Sequence, residues 1–441
     1  MSTSFQNIRG TFDILPDAYT DDGGTRIASS AEWRHVEATV RDVLCRHNFE
    51  EIRTPALEPT ELVARGVGES TDIVQKEMFA FERSGTQYVL RPEITAPVVR
   101  SFLQHHLDQR GGVQKLFYIG PCFRAEKPQK GRYRQFHQFG IEILGADEAR
   151  ADAETIAVLM AICDALGLSN LHLRLNTLGT PERRAEYVEA LRDYLEPYAD
   201  ELSETSQRRL ERNPLRILDT KIEHEQEILR DAPQLIDFVG DGSLAHYDAV
   251  KEHLDDLGIE YEEDPHLVRG LDYYTETTFE LESPGLGAQS ALAGGGRYDR
   301  LAEVLGSDEP VPAIGFAAGM ERLFLALDAA GADRPGTPEP DVFIAALGEE
   351  AERWVFRTSQ MLRDAGLHVA HDLMGRSLKA QMKEANRQNA PYAMIIGSNE
   401  LEAGAATVKE MKSGEQEEVS FDELNEYLRN HVRVSRQSEN R

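Results

Sequence analysis

Lysine is scarce in this chain, cysteine scarcer, and long apolar runs are missing. No hydrophobic stretch approaches the ~18 residues of a membrane-spanning helix. The opening MSTSFQNIRGTFD has no apolar signal core, so neither a membrane span nor secretion is predicted. The three cysteines, Cys45, Cys122 and Cys163, form no CxxC or other zinc spacing, and three cannot all pair. They predict a reducing, cytoplasmic setting with no disulfide framework and no structural zinc. Neither GxGxxG nor GxxxxGK[ST] occurs, which excludes a Rossmann or P-loop reading, and no internal repeat is evident. The basic residues are 10 Lys and 38 Arg against 77 Asp+Glu, a net charge of -29. Abundant carboxylates with few lysines suggest a surface adapted to high salt, an ordinary acidic protein being the alternative. Either way the charge argues against a nonspecific nucleic-acid binder. A polyanion partner needs a local basic site.

What is present is enough for more than one core. At 441 residues, two or three domains are expected. Apolar residues at helical spacing predict an amphipathic helix over 31–48, followed by a short strand in FEEIRTPALEP, broken by Pro55 and Pro59. From 87 to 145 the pattern is mostly strands and turns. Helix is expected over 151–166, a strand at LHLRLNTLG, and an inserted, mostly helical segment over 181–257. Strands resume at LVRGLDYYTETTFELES, and AIGFAAGMERLFLAL reads as strand, glycine turn and helix. The expected organisation is an α+β domain over 1–330, a linker at 331–340, a small, largely parallel α/β domain over 341–430, and a flexible tail at 431–441.

The densest basic segment is FRAEKPQKGRYRQFHQFGIEILG, which reads as an antiparallel hairpin with a long loop. Arg124, Lys127, Lys130, Arg132 and Arg134 fall within eleven residues. If the second strand runs through it, Arg132, Arg134, Phe136, Gln138, Gly140 and Glu142 share one face. Arg124 and Glu126 share a face on the first strand. Arginine suits phosphate, an aromatic ring suits a flat base, and Gln and Glu suit a ligand carrying N–H groups. The pattern fits a ligand floor or an exposed hairpin face.

Here a resemblance becomes specific. Phe123-Arg124-Ala125-Glu126, the loop, and Arg132 to Phe136 resemble motif 2 of class II aminoacyl-tRNA synthetases. KPQKGRYRQFHQ with GIEILG is similar to the histidyl-tRNA synthetases, with Lys127 in place of their arginine. LRPEITAPVVR resembles that family's Arg-Pro-Glu-x-Thr segment, departing at Ile94. Arg269 to Tyr274 (RGLDYY) resembles a block peculiar to the family. AGGGRYDRL, by itself a turn, resembles its Gly-Gly-Arg-Tyr-Asp element. GFAAGMERL resembles motif 3, and EIRTPALEP resembles motif 1, which builds the class II dimer interface. The match spans nearly the whole chain, with the helical insertion and the tail matched weakly.

The resemblance implies a class II antiparallel sheet flanked by helices and a C-terminal anticodon-binding domain. It implies a homodimer that joins histidine to tRNA(His) through histidyl-adenylate, with ATP as substrate, Mg2+ arriving on the ATP, and no zinc or organic cofactor. Arg124 and Arg269 are the expected catalytic groups at the α-phosphate. Glu93, Thr95, Gln138, Glu142, Tyr273, Tyr274 and Tyr298 are expected around histidine. Strict alternation would put Tyr273 and Tyr274 on opposite faces unless a turn or bulge intervenes. Glu126, Arg132, Phe136 and Arg322 are expected around ATP. Gln129, Lys130, Arg132 and Arg134 are expected to meet the tRNA acceptor end, and Arg376, Lys379, Lys383 and Arg387 to form a basic helical stripe on the same RNA. A catalytically inactive regulatory subunit of ATP phosphoribosyltransferase is the alternative. Such paralogues typically lack the arginine block and the C-terminal domain.

Overall fold

The structure is a computed structural model describing residues 5–439 apart from 70, 335 and 337, without the side chains of 288, 289 and 433–439. It divides into two compact units, Met1–Pro335 and Gly336–Arg441.

The first unit is organised by eight strands: β1 (Glu50–Glu51), β2 (Gln114–Phe123), β3 (Gln135–Leu144), β4 (His172–Thr177), β5 (Glu262–Glu263), β6 (Thr275–Glu282), β7 (Ala291–Arg297) and β8 (Ala313–Gly319). They lie in the order β5-β4-β6-β7-β8-β3-β2-β1. Pairing is antiparallel except at the two ends, β5 on β4 and β1 on β2.

Helices α1 (Ser30–Arg46), α2 (Thr95–Gln104), α3 (Ala149–Ala165), α4 (Asp241–Asp256) and α5 (Met320–Ala330) flank it. α1 starts where Ser29 and Glu32 form a reciprocal capping box, and it buries Trp33, Val36, Val40 and Leu44 at helical spacing. Those side chains join Ile156 and Leu159 of α3, Val250 and Leu254 of α4, and Leu323 of α5 over one sheet face. The odd residues of β3, Phe139, Ile141 and Ile143, enter that core, which turns its even residues to the opposite face.

Several expectations need correction. β3 begins at Gln135, so Arg132 and Arg134 lie in the loop rather than on the strand. The 87–145 region contains a helix, α2. Between 267 and 280 only Thr275 onward is strand, because 270–273 form a bend and turn. AGGG is part of strand β7, not a turn. The 181–257 segment is helical, but α4 packs on the main core, while Leu191, Leu210 and Ile217 join a second cluster with Tyr118 and Tyr274.

In the second unit, Val369–His371, Val342–Ala346 and Tyr392–Ile396 are parallel neighbours. Ala405–Glu410 and Gln416–Ser420 extend that sheet antiparallel, so it is mixed rather than largely parallel. The final helix is Leu424–Glu439. The expected flexible tail at 431–441 falls mostly outside the residues with described side chains. Among the described residues no helix is long and apolar enough to cross a membrane.

Candidate active site

The even face of β3 opens on a cavity of about 520 Å³, lined by the sheet, the turn before β6 and part of the helical insertion. Glu142 stands at its floor, 1% exposed. Its Oε2 accepts a hydrogen bond from the Tyr298 hydroxyl, whereas Oε1 has no hydrogen-bond partner. Burial pushes the carboxyl up to about 8, against the hydroxyl bonds that favour its charge. A shielded acceptor oxygen without a donor is costly unless a ligand supplies one.

Glu93 is also buried, and its carboxylate accepts from the amides of Thr95 at 2.7 Å and Ala96 at 3.0 Å. Burial raises its pKa, opposed by those amides at the positive end of α2. Thus Glu93 and Thr95 sit together because one caps the helix that the other begins. Gln138 lines the same cavity, and its Oε1 lies 3.2 Å from Cys122 Sγ.

Tyr273 and Tyr274 both line the cavity, ring centroids 4.7 Å apart, and Tyr273 lies 5.6 Å from Tyr298. The turn before β6 resolves the alternation problem. Glu276 at φ 46 and a register shift between Thr275 and Thr278 then bring the chain into the sheet.

The cationic side of the cavity is held by carboxylates. Arg269 pairs with Glu280 of β6 and is 21% exposed. Burial opposes its charge, but Glu280 and the neighbouring Tyr274 and Tyr273 together leave its pKa raised. Its Nε has no hydrogen-bond partner. A side chain at Gly294 would occupy the place of the Arg269 guanidinium, and one at Gly315 the place of the Glu142 carboxylate. The small residues of β7 and β8 therefore make room for functional groups.

Arg124 donates through Nε to the Pro92 carbonyl at 3.0 Å and lies 3.8 Å from Glu126. Its guanidinium carbon is 5.2 Å from the Phe136 ring centroid, so it covers one face of that ring. Arg132 pairs with Glu126 at 3.0 Å. Arg322, on α5, lines the cavity, and burial followed by repulsion from Arg132 lowers its pKa. Among the described residues no group of three or more His, Cys, Asp or Glu side chains could hold a metal.

Some expected site residues lie elsewhere. Arg134 bonds the Arg9 carbonyl at 3.3 Å, and its amide bonds the Gly10 carbonyl, so it ties the N-terminal segment to the loop. Gln129 and Lys130 line a neighbouring space of about 760 Å³ with Arg26, Arg322 and Asp328.

In the second unit, Arg376 precedes the helix Leu378–Arg387 and bonds Asp372 and Glu384. Arg387 also bonds Glu384, whose carboxyl these contacts, Arg387 foremost, hold down at about 2. Lys379 and Lys383 are exposed. The stripe therefore offers two free-standing lysines between arginines that already have carboxylate partners.

Sequence reasoning missed Glu321, which accepts from the His137 amide at 2.9 Å and contacts its ring at 2.9 Å. This fixes the start of α5 between Phe136 and Gln138. It also missed Arg209, Arg216 and Asp219 of the insertion, which line the same cavity. Their only sequence signal was basic residues on a polar helical segment.

An antiparallel sheet carrying motif 2 and motif 3 arginines beside a buried acceptor, with a separate α/β unit, defines a class II aminoacyl-tRNA synthetase. A family model described as histidyl-tRNA synthetase matches residues 26–323, and one described as anticodon binding domain matches 341–431. The chain belongs to the histidyl-tRNA synthetase family. A histidine--tRNA ligase of Halothermothrix orenii is 47% identical over 421 residues, covering 95% of this chain and 98% of the relative. The crystal structure of apo S. aureus histidyl-tRNA synthetase matches with a TM-score of 0.80 at 39% identity, covering 96% of this chain and 100% of that one. A Bacillus halodurans structure described as an ATP phosphoribosyltransferase regulatory subunit/histidyl-tRNA synthetase has a TM-score of 0.62 at 22% identity, covering 90% of this chain and 99% of that one. That last likeness is one of fold alone.

Proposed function

We propose that the chain is a histidine--tRNA ligase that forms histidyl-adenylate from histidine and ATP and transfers histidine to the 3′ end of tRNA(His). The reading rests on one observation above others. Glu142 presents a donor-less, buried oxygen in the same cavity as Arg124 and Arg269. That combination suits a ligand with a ring N–H at one end and a reacting phosphate at the other.

In this reading the histidine carboxylate attacks the α-phosphorus and expels pyrophosphate, and the terminal hydroxyl of tRNA then attacks the adenylate carbonyl and expels AMP. No protein nucleophile is needed. The residues position the reactants and stabilise phosphoryl charge. Arg124 and Arg269 hold the α-phosphate oxygens. Glu93 takes the α-ammonium, with Thr95 beside it. Glu142, Gln138 and Tyr274 take the ring nitrogens, while Tyr273 and Tyr298 close the pocket. Adenine stacks on Phe136, with Arg322 on its other side. Arg124 lies over one face of Phe136 in the free protein, so adenine takes the other face or displaces it. Mg2+ enters on ATP, with Glu126 near the phosphates.

Gln129, Lys130 and Arg132 meet the acceptor end. Arg134, bonded to the N-terminal segment, supports the loop. Arg376, Lys379, Lys383 and Arg387 contribute to tRNA binding in the second unit, the lysines most directly. The protein works as a cytoplasmic homodimer, and its acidic, lysine-poor composition supports a salt-adapted setting.

Histidine-dependent ATP–pyrophosphate exchange against a panel of amino acids, at low and high potassium, tests the reading. Exchange with histidine alone supports it. Histidine binding without exchange or tRNA charging would favour the regulatory alternative.

A further inference from the structure

Tyr273 and Tyr274 ride on a turn that the sheet does not fix. β6 begins at Thr275, so residues 270–274 lie ahead of the ladder that holds the strand. Their backbone is held from elsewhere. The Asp272 amide donates to the Val67 carbonyl at 3.2 Å. Asn213 of the insertion donates to the Asp272 carboxylate at 3.4 Å. Arg184, on the helix Pro181–Leu195, donates through Nη1 to the Tyr274 carbonyl.

One residue into β6, Glu276 is tied to both ends of the insertion. Its amide donates to the Gly179 carbonyl at 3.1 Å, and its own carbonyl accepts from the Leu178 amide at 2.7 Å. Its carboxylate accepts from the Ser243 hydroxyl of α4 at 2.7 Å. Glu276 holds a left-handed backbone, φ 46, which costs energy in a residue other than glycine and persists where the surroundings enforce it. The insertion therefore grips the chain on both sides of Thr275.

Arg184 does not line the cavity, so any effect it has on a ligand there runs through the turn. Burial lowers its pKa, opposed by the charges of Asp272 and Glu182. A guanidinium drawn out of water to serve a neutral carbonyl costs desolvation energy. Asp272 offsets part of that cost from the same turn, so attraction at residue 272 and the hydrogen bond at residue 274 act together.

We propose that Arg184 is a positioning residue for histidine, setting the turn 270–274 so that Tyr273 and Tyr274 both face the cavity that holds Glu142. The proposal rests on the ligase reading, in which those tyrosines meet the amino acid. Through it the helical insertion governs histidine affinity by way of a side chain that does not touch histidine.

The test uses the full-length chain and its R184A, R184K, Y274F and R184A/Y274F variants. Histidine Kd comes from calorimetric titration, KM for histidine and for ATP from the exchange reaction, and melting temperature from thermal unfolding. R184A is expected to weaken histidine about tenfold in Kd and KM alike, the scale of one lost hydrogen bond from a charged donor, with the ATP KM held within about twofold. R184K keeps the charge without the planar fork and should recover part of the loss. Because Arg184 acts through Tyr274, the two losses should not add, and R184A made on Y274F should cost about threefold or less.

An unmoved histidine Kd with a lowered melting temperature would make Arg184 a purely structural contact and overturn the proposal. Equal rises in the histidine and ATP KM values, or strict additivity with Y274F, would overturn it as well. If the unaltered chain binds histidine without exchange, the ligase reading falls instead, and the Kd series still decides on Arg184.

Discussion

Around Glu142 and around Arg269, one cavity holds its charged groups in different ways. Glu142 is 1% exposed, raised to about 8 by burial, and has one oxygen without a donor. Arg269 is 21% exposed and already paired with Glu280, as Arg132 is with Glu126 and Arg216 with Asp72. The first arrangement leaves an acceptor that a matching donor would satisfy, so in the proposed reading it discriminates by penalising ligands that lack one. The second keeps its cations in company with carboxylates, so in the proposed reading phosphate binds there by exchange and binding answers to salt. The proposed reading therefore separates recognition from charge stabilisation across the cavity.

The largest effect should come from emptying the buried side. Glu142→Ala is expected to lower histidine-dependent exchange about 10³-fold or more while the thermal unfolding transition persists. Near-normal exchange would end the assignment of Glu142. Arg269→Ala should act next, lowering kcat for exchange about 10²-fold with a smaller change in histidine KM, since phosphoryl charge grows mainly in the transition state. Equal losses in kcat and in histidine binding would collapse the separation of the two sides.

A pH series sharpens the contrast. A carboxyl whose folded pKa is raised contributes stability that is complete below its unfolded value, near 4.5, and is lost as pH rises through about 8. The ligand-free protein should accordingly lose melting temperature over that window, and Glu142→Gln should lose less. Over the same window the histidine KM should fall as Glu142 gains its charge, and should be flat in Glu142→Gln. A wild-type KM indifferent to pH between 6.5 and 8.5 would show that the group does not titrate against the ligand.

Smaller effects belong to the exposed cations. Removing Lys130 should slow aminoacylation several-fold while sparing adenylate formation, since Lys130 lines the neighbouring space. Comparable loss in both assays would contradict that division. Lys379→Ala with Lys383→Ala should weaken tRNA binding only a few-fold and flatten its dependence on salt by about one unit per phosphate contact. Arg376 and Arg387, tied to Glu384, should matter less than the lysines.

The site was readable in sequence wherever local periodicity governs it. β3 alternates as its sequence does, with Phe139, Ile141 and Ile143 in the core and Phe136, Gln138 and Glu142 at the cavity. Motif-bearing segments such as RGLDYY and GGRYD were legible as words but not as shapes. The former reads as strand until Tyr273, yet the chain turns there, because its partner strand pairs only from Thr275. The glycines of β7 read as a turn. They are strand, because Arg269 and the neighbouring strand need the volume that side chains would fill. Arg209 and Arg216 stood out only as basic residues on a polar segment, since a helix surface rich in arginine looks the same whether it faces water or an active site.

By itself, then, the sequence determined the longer helices, the alternation of the central hairpin, the basic segment in an acidic chain, and the family to which the chain belongs. These depend on neighbours a few residues apart, or on short strings that resemble a family's motifs. Tertiary structure alone decided that Glu142 keeps an unpaired oxygen, that Glu93 caps α2, that two consecutive tyrosines face one cavity, and that the insertion lends it two arginines. Each of these depends on burial and on partners brought from distant parts of the chain, and neither is written in local spacing.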